Sequence, residues 1–411
     1  MTQKKPEQAV ILCGGLGTRL LPYTKDCPKP MVLCNGKPFL WHLMQQLSQK
    51  GVKRFLLLTG YLTQLIEDYF GNGLEFGWDI SYSQGPVEWD TGTRLCHAQS
   101  MIEDEFLLMY SDNFASFPYD EMWELHKKNN LPITLMVSPK RPGNIKLGKN
   151  NIVEKYDNDR GNDELKYVEI GYMLVSKKST FEAFENRDCS FSAILRKLVS
   201  AHNVCAYIQA AGYHSISDPQ RWKITEKYLT PKKILLLDRD GVINTKAAQG
   251  EYISRWENFE IIQDSWLALK QLSNYGFSFV IITNQAGVAR GMVDQSHLDI
   301  IHSNLMKHAL ESGINILSIQ VCPHHWEDDC ECRKPKPGMF YSAAKEFYIR
   351  LDKSIYVGDD IRDCEAAFNA NCASLFIGDG VDLKRLPEEM QPKFAFSRLS
   401  DCVNEIIGFY S

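Results

Sequence analysis

Two successive series of apolar strands and amphipathic helices are the strongest constraint on the fold of this chain. Runs such as residues 55–59 have the continuous apolar composition of buried strands, and residues 39–50 place leucine and methionine at helical spacing. Strands that alternate with helices predict a mostly parallel sheet with helices on both faces. The pattern starts again with an apolar strand and an acidic loop at residues 232–238. We therefore expect an α/β protein of two domains, residues 1–230 and 231–411.

Length, charge and cysteine content exclude several classes of protein. A chain of 411 residues agrees with two domains of ordinary size. The net charge of −5 provides no basic field for a nucleic acid, and every apolar run is shorter than the about 18 residues of a membrane span. No signal-peptide pattern follows the N-terminal residues, so we expect a cytoplasmic protein without nucleic-acid or membrane partners. Its twelve cysteines are expected to be reduced thiols or metal ligands, and its oligomeric state is unknown.

A glycine-rich loop follows the first strand directly. Glycine lets backbone amides approach phosphate oxygens closely, and a loop lined by amides binds anions. The spacing differs from the dinucleotide fingerprint, which disfavours a nicotinamide cofactor. Arg19 and Lys29 place two cations in the same proline-stiffened region, which suits a polyphosphate. The expected phosphate-binding residues of the loop are Gly14, Gly15, Gly17 and Thr18.

Residues 14–30 resemble the signature of the sugar-1-phosphate nucleotidyltransferases, G-G-x-G-T-R-L-x-P-x-T followed by P-K-P, at every fixed position. The resemblance implies a Rossmann-like domain that binds a nucleoside triphosphate and a phosphosugar. It also implies that Arg19 grips the triphosphate and that Lys29 neutralises the reacting phosphates. In the implied reaction, an oxygen of the sugar phosphate attacks the α-phosphorus and pyrophosphate leaves.

Further positions of the first half agree with this family or depart from it. Asp112 follows a buried strand and resembles the aspartate that holds Mg²⁺, while Glu154 and Lys155 resemble the pair that meets the sugar and its phosphate. A second metal-binding aspartate is usual in the family, but Ser215 stands at its place. Serine is a poor Mg²⁺ ligand beside a carboxylate. Three interpretations stay open: Asp218 substitutes, Asp112 works with water, or this half is weakened.

The second half opens with an acidic loop at a strand end. Asp238 and Asp240 are two residues apart, so they can share a divalent cation. One carboxylate can attack phosphorus to form an aspartyl-phosphate, and the other can protonate the leaving alkoxide and then activate water. Further polar residues follow in order at later strand ends or in a proline-stiffened loop: Thr283, Asn284, Lys334 and Asp359.

This order resembles the haloacid dehalogenase-like phosphatases, whose site lies at the strand ends of a Rossmann-like sheet. The resemblance implies that Asp238 is the nucleophile and Asp240 the general acid and base. Mg²⁺ would be held by Asp238, by the backbone carbonyl of Asp240 and by Asp359. Thr283 and Lys334 would secure the phosphate.

A cluster of thiols and one imidazole lies within eleven residues of the second half. Three thiolates and an imidazole can close a tetrahedral zinc site with no open position, which indicates a structural role for the ion. The site would fix the loop that carries Arg333 and Lys334. The expected zinc ligands are Cys322, His324, Cys330 and Cys332.

Residues 284–291 and 332–338 resemble the D-glycero-D-manno-heptose-1,7-bisphosphate 7-phosphatases. The histidinol-phosphatases are close relatives that share the zinc loop. In the heptose enzymes, the counterparts of Arg290 and Arg333 contact the distal end of the substrate. Both arginines suit a bisphosphate because a guanidinium binds phosphate bidentately.

The two halves predict one bifunctional enzyme. Removal of the 7-phosphate leaves a heptose 1-phosphate, which a nucleotidyltransferase can activate, and we expect a GDP-heptose for surface polysaccharide. One alternative keeps both activities but uses CTP and another phosphosugar or polyol phosphate, because residues 90–95 are similar to cytidylyltransferases. The other alternative, motivated by Ser215, is a lone phosphatase with a nucleotide-sugar-binding regulatory domain.

Overall fold

A computed structural model describes residues 4–157, 162–185, 187–248 and 250–411. Residues 1–3, which begin the N-terminal segment expected to lack a signal peptide, lie outside these ranges. The chain divides into two compact units at Thr230 and Pro231, and each is described by itself. No helix in the described part combines the length and the apolar character needed to cross a membrane.

The first unit contains thirteen strands and seven α-helices among its described residues. The strands are β1 Gln8–Leu12, β2 Leu33–Cys34, β3 Lys37–Pro38, β4 Arg54–Thr59, β5 Asp79–Gln84, β6 Glu105–Tyr110, β7 Asn113–Phe114, β8 Ile133–Pro139, β9 Ile145–Leu147, β10 Val153–Tyr156, β11 Tyr167–Ser176, β12 Val204–Ile208 and β13 His214–Ser215. The helices are α1 Phe39–Ser48, α2 Thr63–Phe70, α3 Thr91–His97, α4 Tyr119–Asn129, α5 Lys177–Phe181, α6 Phe191–Ser200 and α7 Pro219–Leu229.

Nine of these strands form one mixed sheet in the order β10-β9-β11-β6-β1-β4-β5, in which β8 also pairs with β11, and β12 pairs with β8. Strand β1 is central, is buried along its whole length, and runs parallel to β4 and β6. Two short strands, β7 and β13, pair antiparallel beside the end of β6. The predicted helix over 39–50 is confirmed as α1, whose apolar side is buried. Because β1 and β6 are parallel neighbours, the loops that follow them open at the same edge of the sheet.

The second unit has six strands and five α-helices among its described residues. The strands are β14 Ile234–Leu237, β15 Ser278–Asn284, β16 Ile316–Cys322, β17 Ile355–Gly358, β18 Ala373–Ile377 and β19 Phe394–Phe396. The helices are α8 Gln263–Asn274, α9 Gln295–Glu311, α10 Gly338–Phe347, α11 Ile361–Asn369 and α12 Val403–Phe409.

These six strands form a parallel sheet in the order β16-β15-β14-β17-β18-β19. Alternate residues of β14 point to opposite faces, since Leu235 and Leu237 lie in one apolar cluster and Ile234 and Leu236 in another. Both faces are therefore covered, as the continuous apolar run predicts. The α/β class with parallel-rich sheets is confirmed. The sheet of the second unit is parallel throughout, whereas in the first unit β11 runs antiparallel to β6, β8 and β9. The loops after β14, β15 and β17 lie side by side, because β14 is flanked by the other two strands.

Candidate functional sites

A cavity of about 400 Å³ lies at the carboxyl ends of β1 and β6 in the first unit. Ser111, after β6, donates a hydrogen bond to the Leu12 carbonyl of β1 over 2.6 Å, which holds the two strand ends together. The structure brings most of the predicted nucleotide-site residues to this cavity, namely Gly14, Gly15, Gly17, Thr18, Arg19, Lys29 and Asp112.

Lys29 and Asp112 form the main ion pair of this cavity. Lys29 Nζ lies 2.6 Å from Asp112 Oδ2, and both side chains are partly buried. Gly17 has a φ of +66°, and a Cβ built there would lie 2.8 Å from Lys29 Cβ. Glycine at this position therefore allows the loop to turn and lets Lys29 pass close behind it.

Three polar residues in or near β13, Ser215, Ser217 and Asp218, have different surroundings. Ser215 is buried, pairs with Asn113 of β7 and shares a hydrogen bond of 3.0 Å with Ser217. Asp218 caps α7 by accepting a hydrogen bond from the Arg221 amide, which lowers the pKa of Asp218. Ser217 lines the cavity, whereas Ser215 and Asp218 do not. The structure therefore does not bring the Asp218 carboxylate into the lining beside Asp112.

Glu154 and Lys155 are exposed on β10 and do not line the cavity. Glu154 Oε2 instead lies 3.6 Å from Lys146 Nζ, on the neighbouring strand β9. The opposite side of the cavity is lined by Trp89, Asp90, Thr91 and Arg94. In the sequence, residues 90–95 are noted only for their similarity to cytidylyltransferases, and no role is predicted for Trp89 or Arg94.

A second cavity, of about 410 Å³, lies at the carboxyl ends of β14 and β15 in the second unit. Its lining includes six of the predicted residues and brings together parts of the chain almost 100 residues apart. The predicted Asp359 follows β17 and does not line the cavity, whereas its neighbour in sequence, Asp360, does. The six predicted lining residues are Asp238, Asp240, Thr283, Asn284, Arg333 and Lys334.

Lys334 is a buried ammonium held by three oxygens. Its Nζ lies 2.8 Å from Asp238 Oδ1, 2.8 Å from Asp363 Oδ1 and 2.7 Å from the Tyr356 hydroxyl. Burial alone would lower the pKa of Lys334, but the two carboxylates outweigh it and raise that pKa. Burial raises the pKa of Asp238 to about 7, against the opposing effect of Lys334.

The Asp240 carboxylate is held by a different set of partners from that of Asp238. It accepts two hydrogen bonds of 3.0 Å from Arg239, one of 2.9 Å from Asn244 and one of 2.8 Å from Gln285. Burial opposes ionisation of Asp240, but Arg239 and these hydrogen bonds outweigh it and lower its pKa. Asp240 is thus a positioned carboxylate, and Gln285 is a partner that the sequence did not indicate.

Carboxylate oxygens of Asp238, Asp359 and Asp363 lie within 4.8 Å of one another, a spacing that suits a metal ion. Burial raises the pKa of Asp359 to about 6. Asp359 Oδ1 is buried without a hydrogen-bond partner among the described residues, and its Oδ2 lies 2.7 Å from Lys246 Nζ. A buried carboxylate oxygen without a partner is costly unless a cation is present. Asp238 and Asp359 therefore fit Mg²⁺, which prefers oxygen ligands.

Asp363 is the main residue of this site that sequence reasoning missed. Besides Lys334, it accepts hydrogen bonds from the Tyr356 hydroxyl and from the backbone amides of Asp359 and Asp360, at 3.1–3.2 Å. A Cβ built on Gly358 would lie 2.3 Å from Asp363 Cβ, so glycine is required for this approach. The sequence does show an acidic residue four residues after Asp359, in the first turn of α11. From there its side chain can reach back to the loop.

Thr283 and Asn284 play different parts at the end of β15. Thr283 is buried, and its hydroxyl accepts a hydrogen bond of 2.9 Å from Gln285. The Asn284 side chain donates to the Lys334 carbonyl over 3.2 Å and accepts from the Lys334 amide over 3.1 Å. Asn284 therefore fixes the loop that carries Lys334.

The four predicted zinc ligands are within contact distance of one another. The Cys330 sulfur lies 3.6 Å from that of Cys322 and 3.5 Å from that of Cys332. His324 Nδ1 lies 3.7 Å from Cys322 Sγ and 3.2 Å from Cys332 Sγ. A zinc–sulfur bond of about 2.3 Å places two tetrahedral sulfurs about 3.8 Å apart. The four side chains therefore fit a tetrahedral zinc ion.

Arg290 and Arg333 flank the second cavity from two loops. Arg333 lines it and donates a hydrogen bond of 3.4 Å to the His324 carbonyl. The Arg290 guanidinium carbon lies 5.7 Å from the Tyr252 ring centre and 5.4 Å from that of Trp326, and both rings line the cavity. Arg290 is thus held at the rim by cation–π contacts.

Comparison with protein families gives two matches. A model described as nucleotidyl transferase matches residues 8–262, and a model described as polynucleotide kinase 3 phosphatase matches residues 233–379. The nucleotidyl transferase match continues past Thr230, where the first compact unit ends. Its last residues therefore overlap the match to the phosphatase model.

Similar proteins and structures fall into the same two groups. The D-glycero-β-D-manno-heptose-1,7-bisphosphate 7-phosphatase of Pseudomonas aeruginosa is 36% identical over 38% of this chain and 86% of its own length. The α-anomer 7-phosphatase of Mycobacterium bovis is 38% identical over 35% of this chain and 78% of its own length. The crystal structure of HddC from Yersinia pseudotuberculosis, complexed with GMP-PN, is 23% identical with a TM-score of 0.46, over 54% of this chain and 99% of that one.

These matches identify an enzyme with a nucleotidyltransferase domain and a phosphatase domain. The chain therefore belongs to the nucleotidyl transferase family, and its second half belongs to the family of the heptose-1,7-bisphosphate 7-phosphatases.

Proposed function

We propose that the protein removes the 7-phosphate of a heptose 1,7-bisphosphate and transfers a nucleotidyl group to the resulting heptose 1-phosphate. The observation that carries the proposal is the set of Asp238, Asp240 and Lys334 in one cavity of a chain whose second half is related to heptose-bisphosphate phosphatases. The product that we propose is GDP-heptose, for surface polysaccharide.

In the phosphatase unit, Asp238 attacks phosphorus and forms an aspartyl-phosphate. Asp240, oriented by Arg239 and Gln285, gives its proton to the leaving sugar oxygen when it is in its protonated form, and the resulting carboxylate then takes a proton from the attacking water. Lys334 and Thr283 hold the phosphate oxygens. Mg²⁺, bound by Asp238, Asp359 and the Asp240 carbonyl, would neutralise negative charge on the phosphate when present. The protonated Lys334 also favours the ionised, nucleophilic form of Asp238.

In the nucleotidyltransferase unit, Gly14, Gly15, Gly17 and Thr18 present the loop backbone to the triphosphate. Arg19 is exposed at the cavity and binds phosphate oxygens, while Lys29 moves from Asp112 towards the reacting phosphate as it arrives. Mg²⁺ at Asp112 would take further ligands from the substrate, since this ion is commonly bound by one or two carboxylates and by phosphates. Lys155 and Glu154 would meet the sugar only if β10 approaches the cavity in the complex.

The zinc ion is proposed as a structural element. Held by Cys322, His324, Cys330 and Cys332, it would fix the loop from which Arg333 and Lys334 extend. Arg290 and Arg333 would then bind the 1-phosphate at the rim while the 7-phosphate lies at Asp238.

Assays of both reactions on the purified protein test the proposal. Phosphate release is measured over heptose 1,7-bisphosphate, histidinol phosphate and polyol phosphates, and pyrophosphate release over heptose 1-phosphate with GTP, CTP and the other nucleoside triphosphates. We expect preference for the heptose bisphosphate and for GTP. Preference for CTP with another phosphosugar would favour the first alternative. Phosphate release without pyrophosphate from any pair would favour the lone phosphatase with a binding domain.

A further inference from the structure

Arg94 is a buried arginine beneath the glycine loop of the first unit. It lies on the short helix α3, is 5% exposed and borders the nucleotide cavity. Its guanidinium donates to the backbone carbonyls of Thr59 and Pro86 at 2.7 Å each, to those of Gly14 and Val87 at 3.4 Å each, and to that of Gly85 at 3.5 Å. All of its hydrogen-bond acceptors in the described part of the chain are carbonyls, with no carboxylate among them.

The contact with Gly14 fixes the orientation of one peptide in the loop. The Gly14 carbonyl accepts from Arg94 Nη2 and also from the Tyr61 amide, at 3.3 Å. In a trans peptide the C=O and the following N–H point in opposite directions. With its carbonyl held towards Arg94, the peptide turns the Gly15 N–H the other way. Gly15 is exposed and lines the cavity, and a Cβ built on it would meet no atom within 4 Å.

Two glycines make room for this arrangement. A Cβ built on Gly14 would lie 2.3 Å from the Arg94 guanidinium carbon. One built on Gly60, after β4, would lie 2.7 Å from Arg94 Nη2 and 2.8 Å from the Gly14 carbonyl oxygen. Gly60 does not line the cavity. Its missing side chain therefore serves the contact between Arg94 and Gly14 and not the ligand.

We infer that Arg94 is a positioning residue for the nucleotide: it holds the Gly14–Gly15 peptide so that the Gly15 amide faces the triphosphate. It also places beneath that anion a positive charge whose hydrogen bonds, within the described ranges, all go to carbonyls. The inference rests on the proposed nucleotidyltransferase activity and adds a residue to it. A polyphosphate in the cavity would be stabilised by both the amide and the buried charge.

The test compares Arg94→Lys and Gly60→Ala with the wild type in the full-length protein. Lysine keeps the charge but cannot reach five carbonyls. The Gly60 methyl forces Arg94 and the Gly14 carbonyl apart without touching the ligand. Calorimetric titration with Mg²⁺ and GTP or CTP, whichever the wild type binds, should show Kd raised about tenfold in each variant.

Arg196→Lys, on the exposed side of α6, is the control and should bind as the wild type does. Phosphate release by the second unit and the unfolding midpoint without nucleotide show whether each variant is folded. Kd values within about twofold of the wild type in folded Arg94→Lys and Gly60→Ala would overturn the inference. If Arg94→Lys does not fold, the Kd of Gly60→Ala alone decides, with the same limit of about twofold. Absence of nucleotide binding by the wild type would instead overturn the proposed activity, so the two failures are distinguishable.

Discussion

At Asp363, one carboxylate accepts hydrogen bonds from a lysine, a tyrosine and two backbone amides. Lys334 therefore shares its charge between Asp363 and the proposed nucleophile, Asp238. Asp363→Asn removes one of these two charges while it keeps the size of the side chain. Lys334 should then bind Asp238 more tightly and occupy it, so we expect phosphatase kcat to fall at least about tenfold.

The same variant should lower the free energy of unfolding of the second unit by about 1–3 kcal/mol, because a buried ammonium loses a charged partner. Steady-state phosphate release and denaturant unfolding measure the two effects. Asp401→Asn is a matched control, since Asp401 pairs with Arg398 at the surface. Unchanged kcat in Asp363→Asn would contradict a role for this residue in setting the Lys334 contact.

Asp238→Asn is expected to abolish phosphate release, because an amide oxygen is a far weaker nucleophile than a carboxylate and forms no aspartyl-phosphate. Pyrophosphate release from the first unit should be unchanged, and the unfolding midpoint of the second unit is the control for folding. Retained phosphate turnover in this variant would contradict the assignment of Asp238 as nucleophile.

Residues at strand ends could be predicted from the sequence, whereas residues that act through packing could not. Asp238, Thr283 and the neighbourhood of Asp359 follow from one rule, that parallel strands bring their carboxyl ends to one edge. Arg94 and Asp363 lie on helices, where a charged residue usually faces solvent. Their burial depends on glycines at Gly14, Gly60 and Gly358, and sequence spacing does not show which side chain fills the space that a glycine leaves.

At the scale of elements, the segment from Cys322 to Cys332 connects β16 to the loop before α10. It has little regular structure beyond a short 3-10 turn at Trp326–Asp328, and we propose that zinc at the four-ligand cluster stabilises it. Its importance for function comes from its position immediately before Arg333 and Lys334.

Cys330→Ser should remove the zinc and loosen this loop. We expect about one zinc per wild-type chain by elemental analysis and none in the variant, because three ligands bind a structural zinc far more weakly than four. Phosphatase activity should fall with the metal, since Lys334 loses its fixed position. Cys27→Ser is the matched control, as Cys27 is a half-buried thiol of the first unit outside the cluster. Zinc retained at full content in Cys330→Ser would contradict the four-ligand site.

At the scale of the whole molecule, each cavity is complete within its own unit. The residues that line the first cavity fall between Leu12 and Ser217, and those that line the second fall between Asp238 and Asp363. No residue of one unit is needed to build the described site of the other. The two activities can therefore be inactivated one at a time.

Lys29→Met is expected to lose nucleotidyl transfer and keep phosphate release, because it removes the cation that pairs with Asp112 and leaves the second unit untouched. Asp238→Asn has the opposite pattern. Each variant alone should therefore fail to convert heptose 1,7-bisphosphate and nucleoside triphosphate into nucleotide-linked heptose.

An equimolar mixture of the two variants should restore the conversion, because heptose 1-phosphate released by one protein can enter the intact first cavity of the other. The nucleotide sugar is followed by chromatography, with the phosphatase product measured in parallel. We expect a lag that shortens as protein concentration rises, since the intermediate has to build up in solution before the second reaction proceeds. A mixture that releases phosphate but never forms the nucleotide sugar would contradict the series of two reactions proposed for this chain.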